Sequence, residues 1–201
     1  MDHGVHLGSL EIRDSGDGSR RLRGRFPYGK RAVISDGGRR GRPQKEEFAP
    51  KAFAYRVEKP DEEIHLLLGH SYDQPLASKL NDTLILEDTP EALKFEAIIL
   101  PPVQRTTFWM NFWAGFQAGL IVGLSPGFRL PPERAVPAEE AEQIEEEDPE
   151  EGDALIRTIF QALLFEISLV TRPAYSETEV EARSLIMPPR PQFRALDRWR
   201  L

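Results

Sequence analysis

The sequence predicts an α+β domain that is mainly β, and three observations carry that reading. Most apolar residues fall in short runs that alternate with polar ones or are bounded by Gly, Pro, Asp and Ser turn chemistry, the pattern of strands. Only residues 106–118 show clear helical spacing over several turns, with Trp109, Phe112, Trp113 and Phe116 at i, i+3, i+4 and i+7. The 201 residues, 40% of them hydrophobic, suit one domain with a real core. A folded domain is expected over 9–182, between a disordered lead at 1–8 and a flexible tail at 183–201 rich in Pro and Arg.

The elements follow in order. Segments 8–14 and 20–28 read as two strands joined through Asp17-Gly18, a hairpin turn pair. Residues 32–35 form a short third strand. Residues 37–43 are a basic glycine-rich loop. A short helix follows residues 46–53, with Pro50 near its first turn and Phe53 and Val57 on one face, and Pro60 ends it. Residues 63–70 are a strongly apolar strand that delivers His70 at its end, and 71–75 are loop. His65 and His70, five apart, would lie on opposite faces of that strand and suit a shared metal poorly. Segments 82–87 and 92–100 are strands around a turn at Asp88-Thr89-Pro90; Leu93, Phe95, Ala97 and Ile99 alternate with Lys94 and Glu96 in the second. The aromatic helix at 106–118 is core by its spacing, and a stripe this large is also a surface on which a homodimer could form. Residues 119–128 are a glycine-rich strand, and residues 154–160 and 163–170 complete the β content.

Charge is segregated. Residues 138–153 hold ten acidic side chains and no basic one, so the net charge of −7 sits in one tract and the remainder is net basic. Residues 133–153 are expected to be a mobile acidic insertion, too poor in apolar side chains to pack. Residues 20–45 hold ten Arg or Lys against Asp36 alone. The Arg-Gly-Arg-Pro at 40–43 superficially resembles an AT-hook, and a solvated basic loop is the stronger reading, so nucleic acid is disfavoured as a partner. With no cysteine, disulfides and thiolate chemistry are excluded. No metal and no cofactor is called for. The longest apolar stretch, residues 108–124, is interrupted by Asn111, Gln117 and three glycines, so no membrane span is expected, and the N-terminus does not read as a secretory signal.

Three residues could make one site. In the strand reading of 119–128, Gly123, Ser125 and Gly127 share a face, so the Ser125 hydroxyl stands on a side cleared of bulk where a substrate could approach. His70 ends a strand. Glu166 interrupts the apolar strand 163–170, where it is either a buried carboxylate that needs a donor or an exposed residue of an edge strand. A serine hydroxyl needs a neutral imidazole to take its proton, and the imidazole needs a carboxylate to set its tautomer. Together they make an acyl-transfer set: Ser125 nucleophile, His70 base, Glu166 orienting acid. The chain order and the lack of a Gly-x-Ser-x-Gly elbow set it apart from the chymotrypsin, subtilisin and α/β-hydrolase arrangements.

Four blocks in order then resemble the motifs of the tailed-phage prohead proteases: Glu47-Phe48-Ala49-Pro50-Lys51-Ala52-Phe53, Leu66-Leu67-Leu68-Gly69-His70 with Pro75-Leu76, Gly123-Leu124-Ser125-Pro126-Gly127-Phe128, and Phe165-Glu166-Ile167-Ser168-Leu169-Val170-Thr171-Arg172-Pro173-Ala174. That family is in turn similar to the herpesvirus assemblins. The resemblance implies a small antiparallel β-barrel with surrounding helices, and a capsid maturation protease that digests scaffold or major capsid protein, and often itself, inside an immature shell in the cytoplasm of a bacterial host. It places His70 and Ser125 on the motif histidine and serine, Glu166 on the acidic position, and Arg172 as an oxyanion candidate. Lys51 stands where the family commonly has glycine, Ala77 occupies another frequent glycine position, and Ser71 stands where an aspartate usually follows the histidine, which raises Asp73 as an alternative partner of His70. The alternatives are a non-catalytic capsid-assembly factor on the same fold, and a DNA-binding protein acting through 20–45.

Overall fold

The computed structural model describes residues 5–7, 10–39, 41–121 and 123–171. In chain order its elements are β1 (Val5–Leu7), β2 (Leu10–Asp14), β3 (Arg20–Pro27), β4 (Ala32–Ser35), β5 (Gln44–Phe48), α1 (Ala54–Glu58), β6 (His65–Leu68), β7 (Ser71–Ser78), β8 (Leu84–Asp88) and β9 (Ala92–Ile99). They continue as α2 (Pro101–Gln104), α3 (Thr107–Gln117), β10 (Gly123–Arg129), α4 (Ala138–Ala141), β11 (Glu142–Glu146), β12 (Leu155–Ile159) and β13 (Leu163–Val170). The α+β, mainly β class holds.

The barrel does not. The described strands make three open sheets, ordered β1-β2-β3-β9-β8, β10-β13-β6-β7 and β11-β12-β5-β4. Two pairings, β12 with β5 and β13 with β6, are parallel. Parallel neighbours need a crossover connection and cannot be joined by a tight hairpin, so the chain has to leave and return to each of these sheets. One hydrophobic cluster joins all three. At its centre Phe26 of β3, Phe48 of β5, Phe128 of β10 and Phe53 meet, with Phe26 and Phe128 edge-on to Phe48 at ring distances of 5.5 and 5.0 Å. Phe48 and Phe53, 4.9 Å apart, are almost wholly buried. Aromatic pairs at such separations add to the stabilisation from buried area, so this junction of three sheets is a principal anchor of the fold.

Helix α3 forms where its spacing predicts. The Thr106 side chain caps it by accepting from the Trp109 N–H, and Trp109, Phe112 and Phe116 are buried in the cluster. Trp113 is covered by the Arg20 guanidinium, 4.3 Å from its ring centre. The aromatic stripe is thus packed into the chain's own core.

The acidic segment is also folded. Residues expected to be mobile form α4 and β11, and β11 pairs antiparallel with β12. The physical reason is that opposite charges separated in sequence meet in space. Lys45 reaches Glu147 at 2.5 Å, Arg42 reaches Asp153 at 2.9 Å and Glu146 at 3.3 Å, and Arg157 bridges Glu142 and Glu46 at 2.5 and 2.9 Å. Elsewhere in the basic segment Arg20 pairs with Asp14, Arg31 with Glu47, and Arg21 and Arg23 with Glu96. Many of the basic side chains offered as a DNA-binding surface are therefore already answered by carboxylates of the same chain.

Smaller differences have local causes. Residues 5–7 of the expected lead form β1 against β2, and 44–48, whose last three residues read as part of the approach to a helix, form β5. Residues 71–75 belong to β7, because Gly69 and His70 both have positive φ (56° and 61°) and close a two-residue hairpin of the kind that needs that backbone at both positions. His70 therefore sits at a turn tip and not on a strand face. The tail at 183–201 lies outside the described residues.

Lys51 has φ of 60°, a left-handed backbone in which a β-carbon is strained and glycine is at ease. Replacing it with glycine, the residue common at this position in the family it resembles, is predicted to stabilise the fold by about 1 kcal/mol. Urea unfolding measures this, and a destabilised Lys51→Gly variant contradicts it. The ion pair lost, Lys51–Glu58 at 3.6 Å, is exposed and worth little. A second prediction concerns Glu147, whose hydrogen bond from Lys45 holds its carboxyl below the usual glutamate range. A lowered native pKa stabilises the fold above the ordinary glutamate pKa, and that contribution fades as pH falls through the native value. Glu147→Gln should flatten the acid side of the stability–pH curve, measured by denaturant unfolding at a series of pH values. An unchanged slope contradicts it.

Candidate active site

Strand β13 organises the site. It is interior to its sheet, with β10 antiparallel on one side and β6 parallel on the other. Its core residues Leu164, Ile167 and Leu169 do not keep a period of two, and a regular strand would send Leu164 and Ile167 to opposite faces. A bulge reconciles them. Gly127 pairs with Glu166 and Phe128 with Leu164, which leaves Phe165 without a partner on β10. Beyond the bulge, Glu166 and Ser168 share the face opposite Ile167 and Leu169, and they are 4% and 0% exposed.

That answers the choice left open by the sequence: Glu166 is buried in a central strand. The burial of a carboxylate requires donors. His70 supplies one, with its Nδ1 2.7 Å from Glu166 Oε1. Ser168 supplies the other, donating from Oγ to Glu166 Oε2 at 2.7 Å. The backbone N–H of His70 in turn donates to Ser168 Oγ at 2.8 Å. The imidazole is half exposed, with 46% of its side-chain surface open, while its carboxylate partner is sealed. Asp73 makes no hydrogen bond to His70 among the described contacts, so Glu166 holds the ring alone.

Ser125 lies one strand away. It is half-buried on β10 and pairs directly with Ser168 across the antiparallel ladder, where opposed side chains project from the same face. Gly127, two residues on, has a more specific role than general clearance for substrate. A β-carbon on Gly127 would sit 1.8 Å from Glu166 Oε1, so this glycine makes room for the carboxylate itself. No hydrogen bond joins Ser125 to the imidazole among the described residues; such contacts commonly tighten only when substrate is bound. Arg172 lies outside the described residues.

The structure thus brings His70 and Glu166, distant in sequence, into contact beside the partner strand of Ser125. Sequence reasoning missed Ser168. Its signal was present: Glu166 and Ser168 are spaced by two in an otherwise apolar strand, so both hydrophilic groups had to share one face. No group of three or more acidic or histidine side chains among the described residues is arranged to hold a metal ion. No helix of the described residues is long and apolar enough to cross a membrane.

A Glu166 carboxylate accepts a hydrogen bond only from the Nδ1–H tautomer of His70, which leaves the Nε2 lone pair as a base. A base so oriented, near a strand serine with little bulk around it, can serve general-base activation of a hydroxyl, the chemistry of serine hydrolases. The chain belongs to the caudovirus prohead serine protease family, whose family model matches residues 36–189. No curated protein and no solved structure matches the chain significantly. The matched span includes His70, Ser125, Glu166 and Ser168, and it leaves β1 to β4 outside.

The tight fit at Gly127 makes a prediction. Gly127→Ala must displace the Glu166 carboxylate or bend β10, with an expected loss of about 1–3 kcal/mol in unfolding free energy. Denaturant unfolding measures it. Wild-type stability in this variant contradicts the described packing.

Proposed function

We propose that the chain is a serine endopeptidase that cleaves scaffold or major capsid protein, and itself, during maturation of a phage procapsid. The observation that carries this reading is the His70 Nδ1–Glu166 Oε1 hydrogen bond of 2.7 Å, formed next to the strand pair that holds Ser125, in a chain of the prohead protease family. In this reading His70 Nε2 takes the Ser125 proton as Oγ attacks the scissile carbonyl. The same proton passes to the leaving amine, and an acyl-enzyme remains on Ser125. Water then enters, His70 takes its proton as the hydroxide attacks the ester carbonyl, and the proton passes to Ser125 Oγ as the acid product leaves. Glu166 holds the ring in the productive tautomer and stabilises the imidazolium. Arg172, two residues beyond β13 in sequence, is the oxyanion candidate carried by the resemblance. The work takes place inside the immature shell, in the host cytoplasm.

Coexpression with candidate major capsid and scaffold proteins tests the proposal. Ser125→Ala should abolish their processing, a loss of at least about 10³-fold, with the unfolding midpoint retained. Mass spectrometry of the products reads the outcome. Continued processing by the alanine variant removes Ser125 as nucleophile. Normal shell assembly by a Ser125→Ala, His70→Ala double variant, with no cleavage in either chain, favours a non-catalytic assembly factor.

A further inference from the structure

We propose that Ser168 is a positioning residue that sets both the tautomer of His70 and the placement of its turn, an inference that rests on the catalytic reading of Ser125, His70 and Glu166. A serine hydroxyl has a single proton to donate. Because Ser168 Oγ accepts from the His70 backbone N–H at 2.8 Å, its own proton is directed to Glu166 Oε2 at 2.7 Å. That occupies one carboxylate oxygen and leaves Oε1 for His70 Nδ1 at 2.7 Å. Three hydrogen bonds close a ring through the His70 backbone, the Ser168 hydroxyl, the Glu166 carboxylate and the imidazole.

Each member of this ring needs the others. His70 adopts φ of 61°, a conformation unusual for a residue with a side chain, and its backbone N–H is anchored by a side chain from the neighbouring strand. Glu166 is 4% exposed and Ser168 fully buried, so neither can exchange its partner for water. The turn is held to β13 at a second point by the Gly69 N–H, which donates to Leu169 O at 3.1 Å. Ser168 also stands directly across from Ser125 in the ladder. Its Oγ therefore ties the backbone of the base to the acid, while its main chain lies across from the nucleophile strand. Residues that act in this way orient a reacting group without touching substrate, and a misplacement of about 1 Å can lower a rate about 100-fold.

The test has two readouts. The first is the ring ¹⁵N shifts of His70, measured by NMR above the range in which the imidazole protonates. In the wild-type chain they should show the Nδ1–H tautomer, and in Ser168→Ala a mixture with Nε2–H. A wild-type ring that is a mixture or Nε2–H overturns the inference without recourse to any variant, and so does an unchanged tautomer in a folded Ser168→Ala. The second readout is the rate at which a fluorophosphonate labels Ser125. Ser168→Ala should label about 100-fold more slowly, and Ser168→Thr, which keeps the hydroxyl, should recover a large part of the loss. Equal rates in wild type and Ser168→Ala overturn the inference. Absence of labelling in the wild type sinks the catalytic reading instead, and the NMR arm still decides whether Ser168 sets the tautomer.

Discussion

A carboxylate buried in the middle of an apolar strand is the constraint from which the rest of this site follows. Glu166 is 4% exposed and lies between two paired strands, so its charge has to be met by donors of the same chain. One donor comes from Ser168, two residues along the same strand face. The other comes from His70, which reaches it only because the β6–β7 hairpin closes through two residues of positive φ and sets the imidazole beside β13. The opposite strand carries glycine at position 127 because any β-carbon there would collide with the carboxylate. The bulge at Phe165 then lets Leu164 return to the core without turning Glu166 out of the site. A group that is costly to bury thus dictates a turn, a glycine and a bulge.

A second organisation, of charge, supports the sheet that holds the acidic tract. Glu147 is buried yet salt-bridged to Lys45, and Arg42 draws in Glu146 and Asp153. Arg157 on β12 joins Glu46 of β5 to Glu142 of β11. These pairs run across three neighbouring strands, with β5 and β12 in parallel register. Networks of this kind combine modest individual terms and set register, because like charges would face one another if a strand slipped. The acidic and basic blocks are therefore two halves of one structural device.

Local signals were legible in the sequence, and relations between distant segments were not. The hairpin β2–β3, the strand β4, the pair β8–β9, helix α3 and the strand β13 follow from periodicity and turn chemistry, which act over a few residues. The sheets that β5, β12 and β6 join could not be read, because parallel pairing leaves no short turn as a signature. The Gly69-His70 turn was missed because histidine in a left-handed conformation is uncommon, and residues 71–75 of β7 were consequently read as loop. The acidic tract looked unable to pack because most of its partners, Arg42 and Lys45 among them, lie about a hundred residues earlier in the chain. For the site, Ser125, His70 and Glu166 were visible as chemically capable residues. Ser168 was legible only through its two-residue spacing from Glu166, and the role of Gly127 depended on knowing which side chain fills the space above it.

The central claim is that Ser125, the imidazole of His70 and the carboxylate of Glu166 act as one unit on a peptide carbonyl. A crystal structure of the chain after reaction with a peptidyl fluorophosphonate tests it most directly. The account predicts phosphorus bonded to Ser125 Oγ, His70 Nε2 within hydrogen-bond reach of that oxygen, and His70 Nδ1 still on Glu166 Oε1. Phosphorus on another residue, or an imidazole turned away from Ser125 in the adduct, contradicts it.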